Sequence, residues 1–226
     1  YKIYNKQKHG LSIGIALTDL STGNTKLYET CSKTNDSEYS MDEIYRILNT
    51  YEPKEIIIYN NNYELLSKET IQSKLEIYNI LTYFKDYDKS YGNISIQNEI
   101  LNRSYSIQLN PNNHNQFNLS IFEYLGIEKY TNCIYSFVAL IDYAVKHNNI
   151  IIHKLNKPEI LNNDTNLVLT NDSIRQLDII ADKNRVKTVK YNSLIGILNN
   201  CSTAMGKRLL HNRIFNPIVD IDTLQK

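Results

Sequence analysis

Carboxylates are considered first, because a two-metal nuclease needs several of them close together. Asp19 follows the apolar run Leu11–Thr18, which is typical of a buried strand, so this carboxylate would lie at a strand end. The next strand-like run, Glu55–Tyr59, is followed by Asn60–Asn62, which supply amides and no anions. The sequence therefore predicts no metal-dependent nuclease site. We expect Asp19 to accept hydrogen bonds from backbone amides of the following turn.

Two other patterns resemble ligand sites only in part. Gly206-Lys207 ends like a phosphate-binding loop, but Arg208 follows where that loop has Ser or Thr, and Cys201 stands at the position of its first glycine. The histidines and cysteines have none of the paired spacings typical of zinc ligands. The sequence therefore predicts no catalytic centre, cofactor site or metal site within these residues.

A short basic segment is the candidate for contact with nucleic acid. Lys183, Arg185, Lys187 and Lys190 are two or three residues apart, so an extended backbone would place these cations on one side. Such an arrangement suits weak contacts with DNA phosphates. A solvated loop is the alternative, and it is favoured because no aromatic or glycine-rich element accompanies the cations.

Composition and charge are those of a globular protein. Hydrophobic residues make up 42% and charged residues 22% of the chain, with only 7 Gly and 4 Pro, so a sizeable core can form. The net charge is +1. Residues 171–226 hold nine Lys or Arg against five Asp or Glu, whereas residues 1–170 hold sixteen against nineteen. The C-terminal quarter is mildly basic, which permits contact with nucleic acid without requiring it.

Cysteine use and hydropathy indicate the compartment. Cys31, Cys133 and Cys201 are widely spaced and odd in number, which is typical of reduced thiols in an intracellular protein. No apolar run approaches the ~20 residues of a membrane span, and no signal peptide follows Tyr1. We therefore expect an intracellular protein without membrane contact, and we expect both ends to be cut from a longer polypeptide.

The first part of the chain has the pattern of an α/β domain. Leu11–Thr18 and Thr25–Glu29 predict a hairpin around a Ser-Thr-Gly turn, and Glu55–Tyr59 predicts a central strand between helices. Ser40, with Glu43 three residues later, predicts a capped helix over residues 41–50.

Beyond residue 130 the periodicity becomes helical. Residues 132–145 carry a broad apolar stripe, and Thr170 or Asn171 can cap a following helix. Thr203 is predicted to cap another helix, which Pro217 ends. Small Gly206 is expected to let this helix approach a neighbour closely, with Met205, Leu209 and Leu210 buried against that neighbour.

The C-terminal stretch carries a family resemblance. Residues 192–220 resemble the core domain of MutS-family mismatch repair proteins, whose pattern is Ser-Leu, a short apolar helix, Thr-x-Met-Gly-x-Arg-x-Leu and a closing Pro. The matching residues are Thr203, Met205, Gly206, Arg208, Leu209 and Pro217.

Two further segments extend this resemblance over most of the chain. Leu169–Ile179 is similar to an upstream family segment, and Gly14–Gly23 is similar to the opening strand and turn of the family's connector domain. Three residues depart from the upstream pattern, namely Thr170, Gln176 and Asp178.

The resemblance implies an architecture in two parts. Residues 1–130 would form a connector domain of ribonuclease-H-like fold, a mixed sheet with helices that lacks nuclease carboxylates. Residues 131–226 would begin the mainly helical core and lever domain. This piece would hold no catalytic centre and would couple DNA clamping to an ATPase elsewhere in the parent protein.

The resemblance also implies partners for the parent protein. It would be a DNA-dependent ATPase that uses ATP and Mg²⁺, binds mismatched double-stranded DNA, acts as a homodimer and docks a MutL-like protein at the connector. The connector's composition is similar to that of the versions in large DNA viruses or AT-rich protists. The cytoplasm, the nucleus or a viral factory is the expected location. Two alternatives stay open, a MutS-like protein of recombination and a free-standing ribonuclease-H-like enzyme, the latter disfavoured by its missing carboxylates.

Overall fold

The structure is a computed structural model that describes residues 2–5, 10–32, 36–64, 66–105, 120–147, 155–161, 166–167, 169–181 and 191–225. The strands are β1 (Lys2–Asn5), β2 (Leu11–Thr18), β3 (Thr25–Cys31), β4 (Glu55–Asn60), β5 (Leu81–Asp86) and β6 (Glu159–Ile160). The helices are α1 (Tyr39–Tyr51), α2 (Lys68–Leu75), α3 (Ile94–Tyr105), α4 (Ile121–Leu125), α5 (Thr131–His147), α6 (Asn171–Gln176), α7 (Leu194–Leu198), α8 (Ala204–Phe215) and α9 (Ile221–Leu224). None of these helices is long and apolar enough to cross a membrane.

The strands form one mixed sheet in the order β5-β4-β1-β2-β3-β6. β2 pairs with β1 and β3 in antiparallel fashion, while β4 runs parallel to β1 and β6 runs parallel to β3. The predicted hairpin is confirmed, because Thr18 pairs with Thr25 across the turn. Gly23 takes a φ of 74° there, a left-handed conformation that suits glycine. A mixed α/β protein is therefore confirmed.

Compact packing divides the chain into two units that are not continuous in sequence. An α/β unit comprises Tyr1–Ser37, Glu55–Lys68 and Thr82–Leu161. A helical unit comprises Glu38–Lys54, Glu69–Leu81 and Asn162–Lys226, and so contains α1 as well as α6–α9. The predicted domain division at residue 130 stays a prediction. The two units describe which residues pack together, whereas the predicted division concerns which segments correspond to separate family domains.

The core of the α/β unit is built around α5, which lies on β2 and β3. Helix α5 approaches β2 closely at Gly14, where the Ser136 hydroxyl donates a hydrogen bond to the Gly14 carbonyl at 2.8 Å. Buried around it are Leu27, Leu101, Tyr105, Ile121, Leu125, Ile127, Cys133, Ile134, Phe137, Val138, Ile141 and Leu155.

The first turn of α5 is held by a carboxylate from β3. One oxygen of Glu29 accepts hydrogen bonds from the backbone N–H groups of Asn132 and Cys133, each at 3.0 Å. The Asn132 amide donates to the other Glu29 oxygen at 3.1 Å and to the Ser12 hydroxyl at 2.8 Å. The first N–H groups of a helix lack partners within the helix, and their dipoles favour an anion. Glu29 therefore fixes where α5 begins on the sheet.

Two expectations about the elements were wrong or incomplete. The capped helix begins at Tyr39 rather than Met41, and Ser40 is fully buried within its first turn instead of capping it. Glu38 occupies the cap position without a side-chain hydrogen bond. Strand β5 was not expected, because its residues show no strong alternation of apolar and polar types.

We predict that Gly14→Ala strongly destabilises the α/β unit. A Cβ there would lie 2.1 Å from the Asn132 carbonyl carbon and 2.5 Å from the Cys133 nitrogen, and backbone cannot move aside as a side chain can. Overpacking of this kind should lower the free energy of unfolding by about 3 kcal/mol, measured by urea denaturation. Gly92→Ala is the milder comparison, because its Cβ would meet one side-chain atom, the Tyr87 hydroxyl at 2.8 Å, and no backbone. Equal midpoints for the two variants would contradict the prediction.

Candidate functional site

The family-like motif forms α8 and its flanking segments. The Thr203 hydroxyl accepts a hydrogen bond from the Gly206 N–H at 3.1 Å, so Thr203 caps α8 as predicted. The helix ends at Phe215, directly before Asn216 and Pro217. The Pro217 carbonyl accepts a hydrogen bond from the Leu167 N–H at 2.8 Å. The predicted bounds of this helix are therefore confirmed.

The predicted packing of α8 was wrong. Met205 is 77% exposed and Leu209 is 50% exposed, whereas both were expected to be buried. A Cβ on Gly206 would meet Thr203 and Cys201, the residues just before the helix, at 3.1 and 3.4 Å. No neighbouring helix among the described residues lies against Gly206. Arg208 is also exposed, and its Nε donates only to the Ala204 carbonyl of the same helix.

The buried side of α8 faces α1 within the helical unit. Phe215 is fully buried, and His211 Nδ1 lies 3.7 Å from Glu52 Oε1 at the end of α1. The Asn216 side chain accepts a hydrogen bond from the Arg46 guanidinium and donates one to the Thr50 hydroxyl at 3.4 Å. The end of α8 is thus tied to α1 by a polar contact next to a buried aromatic ring.

A buried ion pair supports this contact. Arg46 Nη2 lies 2.7 Å from Glu43 Oε2, and Arg46 Nε lies 3.3 Å from Glu43 Oε1. The side chains of Arg46 and Glu43 are 5% and 0% exposed. Two parallel hydrogen bonds join the guanidinium to the carboxylate, and each charge neutralises the other. Buried charges require such pairing, because they have lost their contacts with water. Sequence reasoning missed this pair because Glu43 was assigned to a capping box, although the i, i+3 spacing of opposite charges was visible.

A second polar cluster joins α1 to α6. The Tyr45 hydroxyl donates to Glu76 Oε2 at 3.1 Å, and Arg175 Nη2 lies 2.7 Å from Glu76 Oε1. Burial of the ring, followed by the charge of Glu76, raises the pKa of Tyr45 to about 12. The phenol therefore stays neutral at physiological pH and remains a donor to the carboxylate. Thr170 caps α6 as predicted, by accepting from the Ser173 N–H at 3.3 Å.

The remaining sequence candidates form no site within the described part of the chain. Asp19 accepts hydrogen bonds from the Ser21 N–H at 2.9 Å and from the Ser21 hydroxyl at 2.6 Å, which lower the pKa of Asp19. Its predicted role in the turn is confirmed. The basic segment, with Lys183, Arg185, Lys187 and Lys190, lies outside the described residues.

Comparison with known proteins identifies relatives of this amino-acid sequence. The sequence model of the family described as MutS domain III matches residues 172–226, which include nearly all of α6 and the whole of α7–α9. A putative DNA mismatch repair protein mutS homolog of Acanthamoeba polyphaga mimivirus is 29% identical over 93% of this chain and 20% of its own length. The resemblance to the MutS family is confirmed.

Other MutS relatives show the same partial coverage. DNA mismatch repair protein MutS of Borreliella burgdorferi is 27% identical over 81% of this chain and 19% of the relative. The MutS protein of Finegoldia magna is 27% identical over 94% of this chain and 21% of the relative. The chain thus spans about a fifth of the length of the curated relatives it matches.

The MutS domain III segment is completed in this structure by a helix from outside the matched residues. The matched range begins at residue 172. Tyr45 of α1 donates a hydrogen bond to Glu76, which also accepts one from Arg175 of α6. Arg46 of α1 donates directly to Asn216, the residue that follows α8. The MutS-like helices therefore form their compact unit together with a helix that follows β3 in sequence.

We predict that removing either member of the Glu43–Arg46 pair strongly destabilises the helical unit. Glu43→Leu or Arg46→Met leaves an uncompensated buried charge, which should lower the free energy of unfolding by about 3–5 kcal/mol. The double variant should lose much less than the sum of the two single variants, because it leaves no unpaired charge. Urea denaturation of all four proteins gives the coupling energy. Additive losses would show that the two side chains do not act as a pair.

We also predict that Thr203 stabilises α8 through its cap. Thr203→Ala removes the acceptor for the Gly206 N–H and should lower the free energy of unfolding by about 1 kcal/mol. Thr203→Ser keeps an oxygen in the same place and should stay close to the parent value. Thermal denaturation of both variants tests this, and equal losses in both would assign the effect to the threonine methyl group instead.

Proposed function

We propose that this chain is a connector and core module of a MutS-type DNA mismatch repair ATPase. The single observation that carries the proposal is the pair of polar networks that tie α1 to α6 and α8. Helix α1 lies in sequence between β3 and β4, and only Glu52–Lys54 separate it from β4. A displacement of the MutS-like helices must therefore move α1, or break the Arg46–Asn216 hydrogen bond or the Arg175–Glu76 ion pair.

The topology of the sheet supports a ribonuclease-H-like connector. Strands β1, β2 and β3 form an antiparallel meander, and after α1 the chain adds β4 parallel to β1 and then β5 at the edge. In place of a carboxylate, β4 ends in Asn60, whose amide donates to the Leu66 carbonyl at 3.0 Å and accepts from the Asn62 N–H. This use of Asn60 favours a structural role over the alternative of a free-standing nuclease.

The proposed role is to couple DNA clamping to ATP hydrolysis in the parent protein. That protein would bind mismatched double-stranded DNA as a homodimer, use ATP and Mg²⁺ held by parts outside this chain, and receive a MutL-like protein at the connector. Lys183, Arg185, Lys187 and Lys190 would contribute weak phosphate contacts at most, since a net excess of four positive charges in residues 171–226 releases few counterions. The names of the relatives support the mismatch repair assignment.

The test is coupling in the parent protein. We expect the parent to bind a mismatched duplex more tightly than a matched one by fluorescence anisotropy, and to hydrolyse ATP faster when that duplex is present. The double variant Glu43→Leu/Arg46→Met should still bind the mismatch but lose much of the stimulation of ATP hydrolysis. The control is Lys26→Gln/Glu159→Gln, which removes a partly exposed pair in the α/β unit. Equal binding of both duplexes would contradict the mismatch repair assignment, and unchanged stimulation in the double variant would contradict the coupling role.

A further inference from the structure

The helical unit holds the MutS-like helices on α1 at two places that differ in burial. At the α8 end, Phe215 is fully buried, and the side chains of Arg46 and Glu43 are 5% and 0% exposed. At the α6 end, the side chains of Arg175 and Glu76 are 48% and 27% exposed. Water and dissolved salt weaken an exposed ion pair much more than a buried one. The α6 end is therefore the weaker of the two attachments.

The backbone at the α6 end is strained at two acidic residues. Glu76, directly after α2, has a φ of 52°, and Asp178, two residues after α6, has a φ of 46°. A third described residue, Glu52 at the end of α1, is also left-handed and lies beside His211 of α8. A residue with a Cβ adopts this conformation at a cost in free energy, and a negative charge at the C-terminal end of a helix adds to that cost. Such strain persists only where surrounding contacts hold it.

The Glu76 carboxylate supplies contacts of this kind by joining α6 to α1. Its Oε1 accepts a hydrogen bond from Arg175 Nη2 at 2.7 Å, and its Oε2 accepts one from the Tyr45 hydroxyl at 3.1 Å. The Arg175 guanidinium also lies 5.9 Å from the centre of the Tyr45 ring. Helix α6 has six residues, of which Ile174 is buried, and a helix this short is unstable without tertiary contacts. The position of α6 therefore depends strongly on Glu76.

Helix α7 is joined to the end of α6. Two backbone hydrogen bonds, at 2.8 and 3.1 Å, link the carbonyls of Asp178 and Ile179 to the first turn of α7. The chain before α6 is fixed near the end of α8, where the Leu167 N–H donates to the Pro217 carbonyl at 2.8 Å. The chain after α7 leads directly to the start of α8 at Thr203. Helices α6 and α7, called here the latch, are thus flanked on both sides by segments that are held at α8.

We propose that this latch opens while α8 stays docked on α1, and that Glu76, with its strained backbone, is the positioning residue that holds it closed. The purpose of the latch rests on the proposed function, since opening would change the MutS-like helices without detaching them. Elements that move in coupled proteins come from the regions of low local stability. The exposed pair of Glu76 and Arg175 marks such a region, and the buried pair of Glu43 and Arg46 marks the part that stays in place.

Hydrogen exchange at single amides of the 226-residue chain measures the opening, by mass spectrometry with residue-level fragmentation. The Ile179 N–H donates to the Ile174 carbonyl at 3.0 Å and reports on the latch. The Asn216 N–H donates to the Asn212 carbonyl at 2.9 Å and reports on α8. After correction for intrinsic rates, Ile179 should exchange about tenfold faster than Asn216. Raising NaCl from about 0.05 M to about 0.5 M should accelerate Ile179 further and leave Asn216 unchanged, because salt screens the exposed pair.

A charge variant tests whether Glu76 holds the latch closed. Glu76→Gln keeps an oxygen acceptor but removes the negative charge that attracts Arg175. Exchange at Ile179 should become about fivefold faster and lose its salt dependence, while Asn216 keeps the parent rate. The matched control is Glu159→Gln, which breaks a partly exposed ion pair in the α/β unit and should change neither rate.

A second pair of variants tests the contribution of backbone strain. Glu76→Ala and Glu76→Gly both remove the carboxylate, but glycine adopts a positive φ without the penalty that a Cβ imposes. Exchange at Ile179 should therefore be faster in Glu76→Ala than in Glu76→Gly, by about fivefold. Equal rates in the two variants would contradict a strained closure. Slow exchange at Asn216 in every sample shows that α8 is still folded.

Two results in the 226-residue chain would overturn the latch. These are equal exchange at Ile179 and Asn216, and equal acceleration of both amides by Glu76→Gln, because α6 and α8 would then open together. In the parent protein, a mismatched duplex with ATP should accelerate Ile179 and leave Asn216 slow. Mismatch preference is measured by anisotropy on the same preparation. Its absence beside a salt-sensitive latch would contradict the proposed function alone, whereas a mismatch-binding parent in which Ile179 never responds would contradict the latch alone.

Discussion

The buried pair of Glu43 and Arg46 is the constraint on which the helical unit depends. Moving both charges out of water is costly, and only close pairing with further hydrogen bonds offsets that cost. A further N–H of Arg46, on Nη1, donates to the Asn216 side chain directly after α8, so the buried pair also fixes where the end of α8 lies on α1. Sliding α8 along α1 would break the hydrogen bond between the Arg46 guanidinium and the Asn216 side chain, so the pair favours one register of the two helices.

The α/β unit depends on a different constraint, the close approach of two backbones. Gly14 has no Cβ, and this lets the first turn of α5 lie directly on β2. Glu29 then supplies the anion for the N–H groups of that turn, which have no partners within the helix. Steric fit decides how near α5 can come, and the Glu29 carboxylate decides where along the sheet it starts. Together they position the helix that carries most of the core.

The contacts of α1 explain what holds the MutS-like residues together in this structure. A match to MutS domain III identifies residues 172–226 as related, but it does not say what holds them together. In this structure their compact unit includes α1, which is bound through charged and polar groups rather than through apolar surface alone. These contacts are directional, because hydrogen bonds weaken as their distance and angle depart from the preferred geometry.

The sequence by itself determined the features that are decided within a few residues. The hairpin at Asp19, the caps at Thr170 and Thr203, and the end of α8 before Pro217 each rest on bonds between near neighbours, so residue types and spacing were sufficient. The tertiary structure decided the role of Glu43 and the face of α8 that is buried. Glu43 pairs with Arg46 three residues on, but the burial of this pair and its contact with α8 depend on partners far away in sequence, since Asn216 lies 170 residues from Arg46. A local pattern cannot distinguish a capping carboxylate from a buried one, because the difference lies in what packs against it.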